Sequence, residues 1–205
     1  MPAVLRDLLD QLRANFEALS LQYEECTSQQ VIENVRNGRA DCGLCSVFAA
    51  QPELNCTALL EAPLGLLFHP ASELPESFCA LHDLNGLSLL RFSDDSDVTQ
   101  LLQLHTVSFD AYHAARIVCN GLPAAYAMLH GGYVAAITSG MGATHPQAQG
   151  LRFIPLPDLL PSLTVSLICK RDQPLNVHQV FMKQLTTSCV REAHWHSSVK
   201  VILDH

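Results

Sequence analysis

The sequence predicts an α/β protein built from two lobes. Helical and strand-like hydrophobic patterns alternate along the chain, and this alternation occurs twice, at roughly residues 20–60 and 87–156. Of the 205 residues, 48% are hydrophobic and only 16% are charged, so the chain can bury a sizeable core. No apolar run reaches the roughly 18 residues that span a membrane, and we expect no membrane partner.

The first lobe begins with two helices. Residues 4–19 repeat apolar side chains at helical spacing, and residues 19–25 (LSLQYEE) alternate like a strand. The stretch TSQQ at 27–30 has the form of a capping box for the second helix, which ends at Gly38. Residues 41–48 have the pattern of an apolar strand. This β-α-β order predicts parallel pairing of the two strands.

The rest of the chain continues the alternation, with apolar strands separated by capped helices. We predict further strands at 54–60, 64–69, 87–92, 115–119, 133–138, 151–156 and 163–169. Helices are predicted at 98–104, 122–129 and 176–192, with a short helical turn at 81–84. Pro123 falls near the start of its helix, where proline is tolerated.

Charge and cysteine content exclude several classes of function. The net charge is −8 and the basic residues form no cluster, so the sequence predicts no nucleic-acid surface in this chain. Most of the eight cysteines lie in apolar runs, where a free thiol behaves as a small buried hydrophobe. The N-terminus lacks the core of a signal peptide, so we expect a reducing cytoplasm.

The motif C-x-x-C, formed by Cys42 and Cys45, is typical of zinc sites and redox pairs. Here it falls on a predicted strand, where residues three apart point to opposite faces. The two sulfurs are therefore not expected to share a metal or a disulfide. The alternating HWH at 194–196 more readily forms a polar linker than a metal site. We expect no metal and no cofactor.

Catalytic motifs are not found in the sequence. It contains no G-x-S-x-G, no H-E-x-x-H and no phosphate-binding loop. Asp94 and Asp95 are adjacent and would point apart on a strand, which makes them a poor acid–base pair. We therefore expect a protein that is not an enzyme.

Five segments, taken in order, resemble the effector-binding domain of LysR-type transcriptional regulators. They are SQQVIENVRNGRADCGL, LEAPLGLLFHPASEL, CALHDLNGLSLLRF, IVCNGLPAAYAMLHGGYVAAITSG and LTVSLICKRDQPLNVHQVFMKQL. The resemblance implies a periplasmic-binding-protein-like fold of two α/β lobes, joined by two crossing strands with a ligand cleft between them. The winged helix-turn-helix that precedes this domain in the family is absent here, so DNA would be bound only through that missing domain.

The end of the chain departs from the family's order. Family domains begin with a strand, whereas this chain begins with a helix and ends with VKVILDH. A circular permutation would explain this, with Val199–Leu203 as a central strand of the first lobe that pairs in parallel with its neighbours. An ordinary C-terminal edge strand is the alternative. We place the first lobe at 1–67 plus 168–205 and the second at 68–167.

Candidate ligand-binding residues follow from the fold class. Open α/β sheets bind ligands beyond the carboxyl ends of their strands, where helix N-termini attract anions. The residues at such positions, or at the cleft by resemblance, are Thr27, Ser28, Ser46, Phe92, Ser93, Asn120, Gly121, Ser139 and, if the chain is permuted, His205. For each of them the alternative is a purely structural role, such as a helix cap, a strand residue or a solvated loop.

The function that the resemblance implies is a domain that senses a small-molecule effector and dimerises. The effector would be a small organic or aromatic acid, and the assembly a homodimer or tetramer. Apolar residues of the first helix would contribute to the dimer interface or form a core face, namely Leu5, Leu8, Leu12 and Phe16. The alternative is a stand-alone solute-binding protein of the same fold.

Overall fold

A computed structural model of the chain confirms the α/β class and the two-lobed architecture. It describes residues 2–16, 20–72, 74–75, 77–78, 80–105, 109–171 and 177–203. Unit 1 consists of Met1–Glu61, Thr164–His194 and Lys200–His205, and unit 2 of Ala62–Leu163 and Trp195–Val199. None of the helices in these described ranges is long and apolar enough to cross a membrane.

Helices and strands alternate as the hydrophobic pattern predicts. The helices are α1 (Pro2–Asn15), α2 (Ser28–Arg36), α3 (Asp97–His105), α4 (Asp110–His113), α5 (Leu122–His130), α6 (Gly140–Ala143) and α7 (Val177–Glu192). The strands are β1 (Cys42–Ser46), β2 (Leu54–Phe68), β3 (Leu89–Phe92), β4 (Ile117–Cys119), β5 (Ala135–Ser139), β6 (Arg152–Pro155), β7 (Ser162–Lys170) and β8 (Lys200–Val201). The predicted turn at 81–84 is a 3-10 helix.

In unit 1, β1 pairs antiparallel with β7, and α2 covers one face of this pair. A side chain on Gly43 would collide with Val31 of α2, so glycine allows the helix to lie close against the strand. Val35 of α2 is fully buried in a cluster with Cys45 and Ile168. The helices α1 and α7 pack together, with Phe16 and Phe181 in edge-to-face contact at 4.8 Å.

The inner face of α1 is used within the chain. Val4, Leu8 and Leu12 are all buried, which the helical period of these residues predicts. Because this surface is already covered, Leu8 and Leu12 are not available to the dimer interface that we expected of this helix.

Unit 2 contains the parallel part of the sheet. β3 pairs in parallel with both β4 and β5, and the second half of β2 pairs antiparallel with β5 and β6. Helix α5 covers a core that includes Leu90, Phe92, Tyr126 and Leu129. Two of the four points at which the chain passes between the units lie within strands, after Glu61 in β2 and after Leu163 in β7. The other two lie on either side of Trp195–Val199.

The predictions for two strand regions are wrong. Residues 20–27 form no strand, and 20–25 are all exposed, so the apolar side chains of LSLQYEE gain no burial that would favour a strand. The pairing that we predicted between this segment and 41–48 is therefore absent, and the described partner of β1 is the antiparallel β7. Residues 54–60 and 64–69, predicted as two strands, form the single 15-residue β2.

The circular permutation is contradicted by the pairing of the last strand. Only Lys200–Val201 of the predicted strand is extended, and it pairs antiparallel with Leu60 and Glu61 of β2. Both of its residues are exposed, as expected of a short edge strand and not of a central one. The alternative of an ordinary C-terminal edge strand is therefore correct.

Candidate functional site

The N-terminus of α2 is fixed by the capping box that the sequence predicts. Thr27 Oγ1 accepts a hydrogen bond from the Gln30 N–H at 3.4 Å, and Gln30 Oε1 accepts one from the Thr27 N–H at 3.1 Å. The Thr27 hydroxyl is thus used in the helix cap. Beyond the other end of the helix, Gly38 adopts a left-handed conformation with φ 71°, which glycine reaches without strain.

Ser28 and Ser46 meet at this helix end. Ser28 opens α2 and Ser46 ends β1, and the Ser46 N–H donates to Ser28 Oγ at 3.0 Å. Ser46 is 1% exposed, and its Oγ has no hydrogen-bond partner among the described residues. A buried hydroxyl without a partner carries a desolvation penalty of about 1–3 kcal/mol. An unsatisfied group of this kind makes the helix end a candidate site for a ligand.

Three helix N-termini differ in how their charge is compensated. The first turns of α2 and α5 contain no acidic residue. The first turn of α3 contains Asp97, whereas the hydroxyl cap from Ser96 has its counterpart in Thr27 at α2. Because a helix N-terminus carries a partial positive charge, α2 and α5 are open to an anion and α3 is not.

In unit 2, the carboxyl ends of three parallel strands lie along one edge. In the register of the sheet, Phe92 of β3 lies beside Cys119 of β4, and β5 runs parallel on the other side and ends at Ser139. The residues that follow are Ser93, Asn120 and Gly121, so the structure brings these predicted positions to the same edge. Gly121 is the N-cap of α5 and supplies no side-chain cap. The Ser93 hydroxyl donates to Asp95 Oδ1 at 2.6 Å.

A buried network supports this edge, and sequence reasoning missed it. The hydroxyl of Tyr112, on the four-residue helix α4, accepts from the Phe92 N–H at 3.1 Å. It also lies 2.9 Å from Thr99 Oγ1, which donates to the Phe92 carbonyl at 3.0 Å. Burial raises the pKa of Tyr112 in spite of these hydrogen bonds. A helix of four residues leaves no periodic signal that could have revealed this tyrosine.

Unit 1 also contains a shallow groove that the sequence did not reveal. It has a volume of about 510 Å³ and is lined by residues 47–51 together with Leu54, Cys56, Ala58, Ser166 and Arg171. The groove begins at the residue after Ser46. At the edge of the groove, the Arg171 guanidinium donates hydrogen bonds to Asn55 Oδ1 and to the Leu54 carbonyl.

The other predicted site residues have mixed positions. Phe92 is 5% exposed and its ring belongs to the core of unit 2, while Asn120 is exposed. Ser139 is 6% exposed at the end of β5 and makes no side-chain cap to α6. His205 lies outside the described residues, as does Asp204.

The two cysteines of the C-x-x-C motif lie on opposite faces of β1, as predicted. Cys42 is paired with Cys169 across the sheet, whereas Cys45 lies opposite Ser166 and packs under α2. Burial raises the pKa of the Cys42 thiol to about 11 and also raises the pKa of Cys169. No group of three or more His, Cys, Asp or Glu residues in the described part of the chain is arranged to hold a metal ion.

These features define a class of protein. Open helix N-termini beside strand ends, lined by hydroxyl and amide groups, are typical of α/β domains that bind small ligands. The model of the LysR substrate binding domain family matches residues 1–190. The chain therefore belongs to the LysR substrate binding domain family.

Solved structures show the same fold at low sequence identity. A reduced form of OxyR from N. meningitidis superposes with a TM-score of 0.76 at 16% identity, covering 98% of this chain and 94% of that chain. The reduced regulatory domain of OxyR2 from Vibrio vulnificus gives 0.74 at 16%, covering 93% and 89%. An H2O2-bound cysteine mutant of Corynebacterium glutamicum OxyR gives 0.73 at 13%, covering 93% and 62%. No curated protein sequence matches the chain.

Proposed function

We propose that this domain senses a small organic acid through the N-terminus of α2 and the neighbouring Ser46, and so controls a LysR-type transcriptional regulator. The observation that carries the proposal is the buried Ser46 Oγ, which has no hydrogen-bond partner among the described residues. A carboxylate oxygen of the effector would accept a hydrogen bond from this hydroxyl. That bond would remove the desolvation penalty that the effector-free domain carries.

The charge of the effector follows from the helix end. The first turn of α2 contains no acidic residue, so its partial positive charge is not compensated within the helix. A carboxylate there gains from both the N–H groups and the helix dipole, whereas a cation would be repelled. This supports an acid over a neutral or basic effector.

Unit 2 offers a second set of groups with the same chemistry. The N-terminus of α5 is open in the same sense, and Asn120, Ser93 and Ser139 lie at the same sheet edge. Leu122, at the start of α5, is 37% exposed and provides apolar surface beside them. We propose that these residues form a second candidate acid site, within unit 2 alone, with Leu122 favouring an acid that is partly apolar or aromatic.

The wider role follows from the family. We propose that effector binding shifts the population of domain conformations and thereby the DNA contacts of a DNA-binding domain outside this sequence. A homodimer or tetramer in the cytoplasm, without catalytic activity, completes this proposal. Light scattering on the purified domain tests the assembly, and a monomer at all concentrations would contradict it.

Peroxide sensing is a less favoured function. H2O2 is bound in the C. glutamicum OxyR structure, but that likeness is one of fold. In this chain, burial raises the pKa of the Cys26, Cys42, Cys56, Cys169 and Cys189 thiols. Since the thiolate is the reactive form, these raised pKa values make the five thiols slow to react with peroxide at neutral pH. A stand-alone solute-binding protein is the remaining alternative, and activity of the domain in a DNA-bound regulator distinguishes the two.

A thermal-shift screen of carboxylic acids tests the site. A ligand that binds only the folded state raises the unfolding midpoint by mass action. We expect hits among the acids and at least tenfold weaker binding by the corresponding amides. In titration calorimetry, Ser28→Ala tests the site in unit 1 and Asn120→Ala the site in unit 2. Each should weaken a hit at its own site about tenfold, as expected for a lost hydrogen bond to a charged group.

Matched controls separate the site from the surface. Ser188 lies exposed on α7 and Asn85 lies exposed in unit 2, so Ser188→Ala and Asn85→Ala should leave the affinity unchanged. If neither Ser28→Ala nor Asn120→Ala changes the affinity of a hit, the effector binds elsewhere and the proposed site is wrong.

A further inference from the structure

Cys42 and Cys169 lie directly opposite each other in the sheet of unit 1. The register runs through five consecutive pairs from Cys42–Cys169 to Ser46–Val165, so the pairing of the two cysteines is fixed by the whole ladder. Opposite residues of antiparallel strands carry their side chains on the same face, with Cα atoms about 4.5–5.5 Å apart. A disulfide needs a Cα separation of roughly 4.4–6.8 Å, which this arrangement satisfies.

The neighbouring cysteine in the sequence cannot take this role. Cys45 lies opposite Ser166, and its side chain packs with Val35 and Ile168 on the face that α2 covers. The motif C-x-x-C therefore divides between the two faces of β1. Cys42 has its thiol partner on β7, at a distance of more than a hundred residues along the chain.

The surroundings of the pair make both thiols slow to react at neutral pH. Burial raises the pKa of Cys42 to about 11, with smaller contributions from Cys169 and Asp41. Burial also raises the pKa of Cys169, where Asp41 and Cys56 act in the same direction and Lys183 opposes them. Cys42 is only partly buried, whereas Cys169 is 5% exposed, so Cys42 is the thiol that a reagent reaches first.

We propose that Cys42 and Cys169 form a site of reversible oxidation, at which a low-molecular-weight disulfide converts the two thiols into one intramolecular disulfide. The Cys42 thiolate attacks one sulfur of the small disulfide, whose S–S bond breaks and releases one small thiol. The Cys169 thiolate then attacks the Cys42 sulfur of the mixed disulfide and releases the second small thiol. Two protein thiols are oxidised, one small disulfide is reduced, and the protons of Cys42 and Cys169 end on the two thiols released.

The new bond would join β1 to β7 within unit 1. It closes a long loop of the chain and so restricts the unfolded ensemble, which raises stability. β1 ends at Ser46, so the cross-link also fixes the strand that carries the proposed effector contact. The oxidation itself does not depend on that contact, and it can be tested without any effector.

The experiment uses the whole chain under native conditions with 2-hydroxyethyl disulfide. After acid quenching and alkylation of the remaining thiols, peptide mapping by mass spectrometry locates the cross-links. We expect a monomeric product in which Cys42 is joined to Cys169, a higher thermal midpoint than the reduced protein, and reversal of both by dithiothreitol. The rate should rise about tenfold per pH unit from pH 7 to pH 9, because the thiolate fraction does so below a raised pKa.

Cys45→Ser is the matched control, since it removes a buried cysteine three residues away but on the opposite face. This variant should keep the 42–169 cross-link, whereas Cys42→Ser and Cys169→Ser should lack it. Even where a variant folds poorly, peptide mapping of the unsubstituted chain shows whether Cys42 is joined to Cys169. A product that joins Cys42 to Cys45, that stops at the mixed disulfide, or that forms only in urea would overturn the proposal.

Discussion

Two polar clusters at strand ends are built in opposite ways. At the end of β3 in unit 2, Tyr112, Thr99 and Phe92 satisfy one another, because the Phe92 N–H and carbonyl and both hydroxyls all take part in hydrogen bonds. At the end of β1 in unit 1, the Ser46 N–H is satisfied by Ser28 but the Ser46 hydroxyl has no described partner. Both clusters are buried, so the difference is not one of access to water.

The comparison separates a structural role from a binding role. A satisfied network holds the backbone in place and has no capacity left for a ligand. An incomplete one destabilises the free protein and gains when a ligand supplies the missing partner. On this argument the Tyr112 network positions Phe92 and Ser93, whereas Ser46 is the residue that we propose for effector binding.

Tyr112→Phe gives the largest expected effect. It removes the acceptor of the Phe92 N–H and one partner of Thr99, both in the buried core, and leaves the ring in place. We expect a loss of about 3 kcal/mol in the free energy of unfolding, the upper end for a buried group left unsatisfied. Urea denaturation measures it as a lower midpoint.

Tyr133→Phe is the matched control, because Tyr133 is 84% exposed in the same unit and should tolerate the loss of its hydroxyl. Equal stability of the Tyr112→Phe variant and the parent would show that the network is not structural, and the comparison would then fail.

Buried titratable groups in the two units should lower the free energy of unfolding at different alkaline pH values. The Cys42 thiol of unit 1 has a pKa of about 11, against a value of 9.0 when unfolded. Its contribution to stability is complete below pH 9 and is lost as the pH rises to 11, since the unfolded chain releases the proton first. A shift of two pKa units corresponds to about 2.7 kcal/mol.

In unit 2 the corresponding groups are Tyr112 and Tyr126, whose pKa values are raised above 10.0 by burial. Their effect begins only above pH 10. Equilibrium unfolding between pH 8 and pH 10 should therefore show a decline that Cys42→Ser reduces and that Tyr126→Phe does not change. A decline that both substitutions leave intact would mean that other groups control it.

Local patterns predicted most elements of the fold, because each element depends on nearby residues. The capping box of Thr27 and Gln30, the glycine at Gly38 and the opposite faces of Cys42 and Cys45 all follow from spacing along the chain. Strand pairing depends on residues that are distant in sequence, and there the pattern failed. The alternation of residues 20–25 could not show that nothing covers them, and the apolar run VKVIL could not show which strand it would join.

The proximity of two candidate residues could be predicted to a similar degree. Ser28 and Ser46 were proposed because both lie at element ends, where helix N-termini and strand ends meet in α/β folds. Their mutual hydrogen bond, and the unsatisfied hydroxyl, depend on a distance that no sequence pattern records. Tyr112 and the cross-strand partner of Cys42 were missed for the same reason, since each acts on a residue far away in sequence or on another element.

The smallest effect is the sharpest test of the comparison, because it predicts opposite signs for two neighbouring serines. Ser46→Ala removes a buried hydroxyl that has no described partner, so the free domain should become more stable, by about 1 kcal/mol. Ser28→Ala removes the acceptor of the Ser46 N–H and should lower stability by a similar amount. Both substitutions should weaken the binding of an acid effector. Ser46→Ala alone would therefore combine a higher thermal midpoint with a lower affinity. If Ser46 served only packing, its substitution would not raise the thermal midpoint while lowering the affinity for the acid. A Ser46→Ala variant that is less stable than the parent would place Ser46 among the structural residues, with Thr99 and Tyr112.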